Sequence, residues 1–267
     1  MTPKISIIIP CYNMGAYLQE TLDSVTSYPN PDDYEIIIVN DGSTDQYTIE
    51  LLKNLEEQGF FVLNQVNMGL SKARNNGIKL AKGEYILPLD ADNKIRHNYI
   101  SKSIKLFHNE PSIDIVYGNH YRFEEEDRIM ITKDFYFPIL CCENFIDACA
   151  VYRKSIWEKV NGYDEHMLMG FEDWEFWLRV ALQGARFHHL NEVTFDYRVR
   201  KKSMITETYH NYDIILNYMM NKKELSIVKQ VKESYLKANN AKHLRNSMEY
   251  RIGKLLFKPF RLLQTNK

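Results

Sequence analysis

The sequence has few cysteines and no long apolar run. Its four cysteines show neither Cys-x-x-Cys spacing nor paired histidine ligands: Cys11, Cys141, Cys142 and Cys149. This pattern indicates neither a zinc site nor a disulfide framework, and it favours a reducing, cytoplasmic compartment. No apolar stretch reaches the roughly 18–20 residues that span a bilayer, and no basic segment with an apolar core opens the chain. We therefore expect neither a membrane span nor a secretory signal.

Two common phosphate-binding motifs are also missing. No Gly-x-Gly-x-x-Gly follows the first predicted strand and no Gly-x-x-x-x-Gly-Lys-Ser/Thr occurs, which disfavours a dinucleotide site and a P-loop. No recognised nucleic-acid-binding motif is present, so we expect no nucleic acid partner. The 267 residues are 45% hydrophobic and 26% charged, as in an ordinary globular protein. This length allows one large domain or a domain with an appendage.

Apolar strands alternate with helical patterns over the first third of the chain. Buried strands are predicted at 4–9, 34–39, 60–63 and 83–92. This βαβαβαβ order predicts an α/β fold, with a mostly parallel, Rossmann-like sheet, right-handed crossovers and helices on both faces. Further along, the pattern predicts a hairpin over 120–133 and two last strands at 186–190 and 193–197. From residue 209 onward the pattern is helical.

Two carboxylates end the fourth of these strands. Asp90 and Asp92 are one residue apart, and residues i and i+2 of an extended segment point the same way. They can therefore converge just past the carboxyl end of the strand, which is where ligands bind in open α/β sheets. Two hard oxygen donors suit Mg²⁺ or Mn²⁺, and such an ion suits a diphosphate. The alternative is a solvated Asp-x-Asp turn.

Polar turns follow the other early strands as well. Tyr12 and Asn13 come after the first strand, and Asp41 begins an Asp-Gly-Ser turn after the second. Polar strand ends along one edge of a parallel sheet form a crevice of nucleotide size. Asp41 can accept a hydrogen bond from a base N–H, and it can equally cap the following helix or close the turn.

Four segments in this order resemble glycosyltransferase family 2, whose members are inverting, metal-dependent enzymes of the GT-A fold. The segments are 6–13 (SIIIPCYN), 38–45 (IVNDGSTD), 67–75 (NMGLSKARN) and 89–92 (LDAD). The resemblance spans roughly residues 4–203 and implies a GT-A domain over 1–205 with a helical C-terminal extension over 206–267. Within the domain it implies a nucleotide-sugar half at about 1–95 and an acceptor half at about 96–205.

The resemblance also implies roles for residues of the first half. The implied nucleotide-binding residues there are Pro10, Tyr12, Asp41, Arg74 and Asp90. Asp41 would read the base, and Pro10 and Tyr12 would flank it. Arg74 would lie near the base or ribose, and Asp90 would contact the ribose. Asp92 would ligate Mn²⁺ or Mg²⁺ beneath the diphosphate, together with Asp90 as the other metal residue. Asn93 follows Asp92, so a third carboxylate is missing there.

An acidic pair at the start of an aromatic helix supplies candidate catalytic residues. Glu172 and Asp173 precede Trp174, and acidic residues in a first helical turn also favour the helix dipole, so the pair alone is ambiguous. The resemblance implies that Asp173 is the general base and that Glu172 orients the acceptor or the base. A carboxylate within hydrogen-bond reach can take the proton of a sugar hydroxyl as attack develops. One base and one direct displacement invert the anomeric carbon.

The segment after the last predicted strand is basic. Similar family members use an arginine and a serine there, so Arg198 and Ser203 are expected to fold over the diphosphate, although such runs are also often merely solvated. Gln-x-x-Arg-Trp is missing, which argues against a processive polysaccharide synthase.

The C-terminal tail combines positive charge with an apolar face. Its basic residues are Lys237, Lys242, Arg245, Arg251, Lys254, Lys258, Arg261 and Lys267, and its apolar residues include Leu255, Leu256, Phe257, Phe260, Leu262 and Leu263. Such a segment is typical of peripheral binding to an anionic membrane, here the inner face of the cell membrane. It can equally pack on the catalytic domain or on a second subunit of a homodimer.

The sequence therefore predicts transfer of a sugar from a nucleotide-diphosphate sugar to an acceptor hydroxyl. By resemblance, we expect a UDP-sugar donor and a glycan or lipid-linked acceptor, in the synthesis of a surface polysaccharide. One alternative is a sugar nucleotidyltransferase, but the turn after the first strand lacks that class's basic triphosphate loop. Another is a catalytically inactive binding or scaffold homologue, against which the intact acidic residues argue: Asp41, Asp90, Asp92 and Asp173.

Overall fold

The structure is a computed structural model that describes residues 2–201 and 204–246. Its strands are β1 Ile5–Cys11, β2 Tyr34–Asp41, β3 Phe61–Gln65, β4 Tyr85–Pro88, β5 Lys94–Ile95, β6 Ile115–Glu124, β7 Arg128–Met130, β8 Val151–Arg153 and β9 Phe187–Val199. Its helices are α1 Gly15–Thr26, α2 Gln46–Glu57, α3 Leu70–Leu80, α4 His97–Asn109, α5 Phe137–Leu140, α6 Lys154–Lys159, α7 Glu172–Leu182, α8 Met204–His210, α9 Tyr212–Met220 and α10 Ser226–Asn246.

The strands form one sheet in the order β3-β2-β1-β4-β8-β6-β9-β5, with β7 paired to β6. β1 is parallel to both neighbours, so that Ile5 lies opposite Tyr34 on one side and Tyr85 on the other. The long pairings are parallel, whereas β8, β5 and β7 add short antiparallel ones. The mostly parallel α/β sheet is therefore confirmed, and the carboxyl ends of β1, β2 and β4 lie along one edge.

Helices cover both faces of this sheet. Ile7 and Ile8 of β1 point to opposite sides, because successive side chains of a strand alternate. Ile8 packs with residues of α3 and α7, whereas Ile7 packs with residues of α1, α2 and α4. Both isoleucines are fully buried, which accounts for the unbroken apolar sequence of β1.

The structure corrects the strand boundaries at two places. The two strands predicted at 186–190 and 193–197 are one strand, β9, which absorbs the extra residues as a bulge opposite Gly118 and His120 of β6. The predicted strand at 83–92 ends at Pro88, and the N–H of Asn93 donates to the carbonyl oxygen of Asp90 at 3.0 Å. Asp90 and Asp92 therefore lie on a turn, and the i, i+2 argument for an extended segment does not apply to them.

The helices after residue 204 pack on the rest of the fold. Ile215 of α9 and Val228 of α10 are buried in the same core as α7. Lys222, between these two helices, pairs with Asp164 at 2.7 Å and with Glu175 of α7. The apolar part of the tail, from residue 254, lies outside the described residues. That this part binds a membrane or a second subunit therefore stays a prediction. Within the described part of the chain, no helix combines the length and apolarity that a bilayer crossing requires.

Candidate active site

Asp41 ends β2 and is 4% exposed. Its Oδ1 accepts hydrogen bonds from the Gln65 side chain at 2.7 Å and the Met68 N–H at 2.8 Å, and its Oδ2 accepts one from the Gly69 N–H at 2.9 Å. A carboxylate has about four acceptor positions, so roughly one is left for a ligand N–H. The turn before α3 needs glycine at position 69, where φ is +87°.

Asn13 joins the turn after β1 to the turn after β2. It has a positive φ of 55°, which asparagine tolerates better than most residues. Its Oδ1 accepts hydrogen bonds from the N–H groups of Thr44 at 2.8 Å and Asp45 at 2.9 Å. The two turns that follow β1 and β2 are thereby held together as one unit.

Tyr12 lies level with Asp41 across these two turns. The register pairs the preceding residues, Cys11 of β1 and Asn40 of β2. The Tyr12 ring is 44% exposed, whereas Pro10 is buried within β1. Of the two residues expected to flank the base, the structure therefore leaves Tyr12 accessible for stacking, and Pro10 shapes the strand end.

Asp90 and Asp92 lie close enough to interact but have different partners. Asp90 accepts a hydrogen bond from Arg74 at 2.7 Å, and Asp92 pairs with Arg200 at 3.0 Å. Burial and the negative charge of Asp90 raise the pKa of Asp92 to about 6, against the opposing effect of Arg200. The arginine beside Asp92 therefore does not fully offset the effects of burial and of the neighbouring carboxylate.

Arg198 is engaged within the fold. Its guanidinium pairs with Glu20 at 2.9 Å and with Glu124. Burial acts to lower the pKa of Arg198, but the hydrogen bonds and negative charges of these two carboxylates outweigh it and the pKa is raised. The guanidinium carbon also lies 4.7 Å from the ring centroid of Tyr17 and 4.6 Å from that of Phe123. Two carboxylates and two aromatic faces hold it, so it stabilises the end of β9 rather than presenting a free charge.

Both arginines, Arg198 and Arg200, reach the acidic turn, but in different ways. The Nε of Arg198 donates to the backbone carbonyl oxygen of Asp92 at 3.0 Å, whereas Arg200 pairs with the carboxylate of Asp92. The Nε of Arg200 is buried without a partner among residues 2–201 and 204–246. Arg200 belongs to the same basic run as Arg198, and the sequence pattern did not separate the two. Ser203, the other expected residue of this run, lies outside the described residues.

Arg74 joins the two halves of the site. Its side chain is 1% exposed and donates to Asp90 at 2.7 Å and to Glu172. Burial acts to lower the pKa of Arg74, but these two carboxylates outweigh it and the pKa is raised. Arg74 thus connects the turn after β4 to the start of α7 with almost no exposed surface, and its expected place near the base or ribose stays a prediction. Its Cζ lies 5.7 Å from the ring centroid of Tyr163.

Asp173 lies beside Glu172 in the first turn of α7. Its Oδ2 accepts a hydrogen bond from Asn144 at 3.0 Å and its Oδ1 accepts one from the Trp174 N–H at 2.7 Å. Burial and the charges of Glu172 and Asp147 raise the pKa of Asp173 to about 8. No cation pairs with Asp173 directly in the described part of the chain, in contrast to Glu172, which Arg74 holds.

A backbone turn of unusual geometry places this acidic pair. Gly170 and Phe171 both have positive φ, 100° and 58°. Phe171 is held in this conformation by packing, since its ring lies 5.4 Å from Trp174 and 5.9 Å from Tyr209, between centroids. Such strained positions persist only where the surroundings determine them, and they cluster at functional sites.

Asp147 is a further acid of the site that the sequence pattern did not single out. Burial, together with the charge of Asp90, raises its pKa to about 7. Its Oδ1 accepts a hydrogen bond from the Cys149 N–H at 2.8 Å. The fields of Asp147, Asp90 and Asp92 also contribute to a raised pKa of Tyr197, after burial. The one available signal was its position, as a lone acid shortly before the buried strand β8.

The acidic turn after β4 fits a divalent metal. Magnesium is usually held by one or two carboxylates together with substrate phosphates, and Asp90 and Asp92 supply such carboxylates. Burial, and after it the negative charge of Asp90, raises the pKa of Asp92, and a bound cation would favour its ionised form against both effects. The described residues contain no cluster of three or more acids, histidines or cysteines arranged for a metal. A metal here would therefore need oxygen ligands from a diphosphate or from water.

Residues 6–176 match the family described as Glycosyl transferase family 2. The chain belongs to glycosyltransferase family 2. The match covers more than half of the chain and includes the turns after β1, β2 and β4 and the acidic pair at the start of α7. The family expected from the sequence is confirmed.

Two curated relatives illustrate the similarity and its limits. Glycosyltransferase GlyA of Streptococcus pneumoniae is 32% identical over 227 residues, which cover 75% of this chain and 31% of the relative. Poly-beta-1,6-N-acetyl-D-glucosamine synthase of Staphylococcus epidermidis is 40% identical over 117 residues, which cover 43% of this chain and 28% of the relative. The chain thus spans about a third of the length of these relatives.

Two solved structures share the fold. S. aureus TarS 1-349 in complex with UDP-GlcNAc aligns with a TM-score of 0.69 at 20% identity, covering 93% of this chain and 77% of that one. Mannosyltransferase PcManGT from Pyrobaculum calidifontis, in complex with GDP-Man and Mn²⁺, aligns with a TM-score of 0.60 at 18% identity. The alignment covers 99% of this chain and 84% of that one. The expected GT-A fold is confirmed by these neighbours.

Proposed function

We propose that this chain catalyses metal-dependent, inverting transfer of a sugar from a UDP-sugar to a hydroxyl group. One observation carries the proposal. The acids of the site differ in whether a cation pairs with them. Arg74 pairs with Asp90 and Glu172, and Arg200 pairs with Asp92. Asp173 has no direct cationic partner among the described residues. A carboxylate with a raised pKa and no counter-charge is suited to take a proton near neutral pH.

In this reaction Asp173 accepts the proton of the attacking hydroxyl as the new glycosidic bond forms. The departing diphosphate leaves from the opposite side, so the anomeric carbon is inverted. Arg200 stabilises the negative charge of the diphosphate, a task for which arginine is well suited. Asp92 and Asp90 would hold a divalent metal, which would supply Lewis-acid stabilisation of the leaving group. Asp41 accepts a base N–H and Tyr12 stacks on the base.

Glu172 and Asp147 have supporting parts in the proposal. Glu172 is committed to the buried Arg74 and serves to hold the start of α7 rather than to act as base. Asp147 has no direct cationic partner among the described residues, and its pKa is also raised, to about 7. It is therefore the second candidate for the base, ahead of Glu172.

We propose the substrates from the similar proteins named above and from the resemblance of the sequence to the family. UDP is the preferred nucleotide, supported by the TarS complex with UDP-GlcNAc, although the PcManGT complex contains GDP-Man. The similarity to a poly-N-acetylglucosamine synthase supports an acceptor within a surface polysaccharide or a lipid-linked glycan. We place the protein in the cytoplasm, with its basic tail either on the membrane surface or at a homodimer contact.

Two other functions carry less support. A sugar nucleotidyltransferase needs a basic triphosphate loop, and the turn after β1 is instead closed by Asn13 on the turn after β2. An inactive homologue would have no need to bury Asp173 beside two other carboxylates without a cation to pair with it. Turnover of a sugar nucleotide separates both alternatives from the proposal.

The decisive experiment compares Asp173→Asn with Asp147→Asn. Asp173→Asn keeps the shape of the side chain but cannot take a proton, and general-base help typically contributes about 10²- to 10⁴-fold. We expect kcat for transfer to fall on that scale while the Kd for UDP with Mn²⁺ stays unchanged. If Asp173→Asn transfers within a few-fold of wild type, the assignment is wrong. A loss confined to Asp147→Asn would make Asp147 the base.

A further inference from the structure

The segment between α5 and β8 is fastened to α7 by two buried tryptophans. The indole N–H of Trp174 donates to the carbonyl oxygen of Leu140 at 2.6 Å, and that of Trp177 donates to the carbonyl oxygen of Ile146 at 3.0 Å. Both indoles are almost completely buried, at 1% and 0% exposure. Asn144 lies between these two anchor points, so its position against the first turn of α7 is set by the core.

Asn144 contacts the acid that we propose as the base. Its Nδ2 donates to Oδ2 of Asp173 at 3.0 Å, whereas its own Oδ1 is buried and has no partner in the described part of the chain. When Asp173 is ionised it only accepts hydrogen bonds, so in that form the amide must turn its N–H toward the carboxylate. The other Asp173 oxygen is occupied by the Trp174 N–H.

The surroundings of Asp173 otherwise oppose its ionisation. Glu172 and Asp147 add negative charge, and burial removes water. Arg74 is the cation that acts on Asp173, but its two terminal nitrogens donate to Asp90 and Glu172. The hydroxyl of Tyr163 is a further titratable group in this environment. Among the side chains that favour the ionised form, Asn144 is the one that donates a hydrogen bond to it directly.

We propose that Asn144 is a positioning residue, which holds Asp173 in the orientation and the ionised form required of a base. The inference rests on the proposed role of Asp173 as base. Without the donated N–H, Asp173 keeps its proton to higher pH. Because the ionised form is the active one, less base is then available near neutral pH, and activity returns as the pH is raised.

The test is a titration of the ligand-free protein that needs no substrate. The protein is labelled with ¹³C at the aspartate carboxyl carbons, and Asp173→Asn identifies the Asp173 resonance. In Asn144→Ala we expect the titration midpoint to rise by about one pH unit, the tenfold effect of losing one charge-assisted hydrogen bond. In the isosteric Asn144→Asp we expect a larger rise, because a second carboxylate then faces Asp173.

A matched control is Asn98→Ala. Asn98 also donates an amide N–H to a carboxylate, Glu192 at 2.9 Å, but on the exposed surface. We expect it to leave the Asp173 midpoint unmoved. Circular dichroism checks that each variant is folded, and having two Asn144 variants guards against one that is not.

A midpoint that stays at its wild-type value in the folded Asn144 variants overturns the inference. A graded rise from wild type to Asn144→Ala to Asn144→Asp supports it, since mere loss of packing would not order the variants by charge. Failure of the proposed function has a separate signature. In that case Asp173→Asn transfers sugar at the wild-type rate, although the midpoint of the wild-type carboxyl still moves when Asn144 is replaced.

Discussion

Arg74 is the side chain whose loss we expect to cost the most stability. It is 1% exposed and donates to Asp90, whose side chain is 33% exposed, and to Glu172, whose side chain is 6% exposed. Arg74→Met keeps much of the apolar stem but removes the guanidinium. Both carboxylates then lose their partner, and Glu172 has little water with which to replace it.

The magnitude follows from this burial. Removing one partner of a buried ion pair typically costs about 3–5 kcal/mol, because the remaining charge is left buried and uncompensated. Solvent screens part of the loss at Asp90, so we assign most of the cost to Glu172. We expect Arg74→Met to lose about 3–4 kcal/mol, a large share of the roughly 5–15 kcal/mol that stabilises a typical domain.

Urea unfolding near neutral pH measures this loss. The double variant Arg74→Met/Glu172→Gln should recover part of it, because the residue left buried is then neutral. Acidification should narrow the gap to wild type by neutralising the carboxylates. The control is Arg96→Met, which breaks the more exposed pair with Asp196 and should cost about 0–1 kcal/mol. If Arg74→Met unfolds within about 1 kcal/mol of wild type, the charges at this junction are not balanced as described.

Three further outcomes are expected. The folded state holds the protons of Asp147 and Asp173 up to pKa values of about 7 and about 8, whereas the unfolded chain releases them near its ordinary value of about 3.9. The free energy of unfolding measured in urea should therefore fall as the pH rises from about 5 to about 8.5, and Asp147→Asn should make this fall less steep. Equal unfolding free energies at the two pH values would contradict the raised pKa values of these two acids. Asp92→Ala should remove the Mn²⁺-dependent part of UDP binding in calorimetry, and an unchanged metal dependence would show that the metal residue is elsewhere. Arg200→Ala should weaken UDP binding more than uridine binding, whereas Arg198→Ala should mainly lower the unfolding midpoint, and the reverse result would return the diphosphate role to Arg198.

Much of the fold could be predicted from local pattern. The unbroken apolar run of β1 and the polar turns after β1, β2 and β4 indicate a parallel sheet with a ligand edge, and they carry the family resemblance. Strand ends were less well predicted. The residues after Leu190 resemble a turn, but pairing with β6 keeps them within β9 as a bulge. Whether such residues end a strand depends on the partner strand, which the local sequence does not contain.

The candidate site shows the same division. The sequence by itself determined which acids end the strands and begin α7, because those positions follow from the spacing of apolar and polar residues. Only the tertiary structure decided how the charges are paired. Arg74 and Glu172 are 98 positions apart, and their contact exists because α3 and α7 meet in one core. Arg198 and Arg200 are alike in the sequence. The carboxylates that pair with Arg198 are Glu20 and Glu124, whereas Arg200 pairs with the carboxylate of Asp92. Charge pairing in a closed site depends on which side chains the fold brings within hydrogen-bond distance, and that is a property of packing rather than of spacing along the chain.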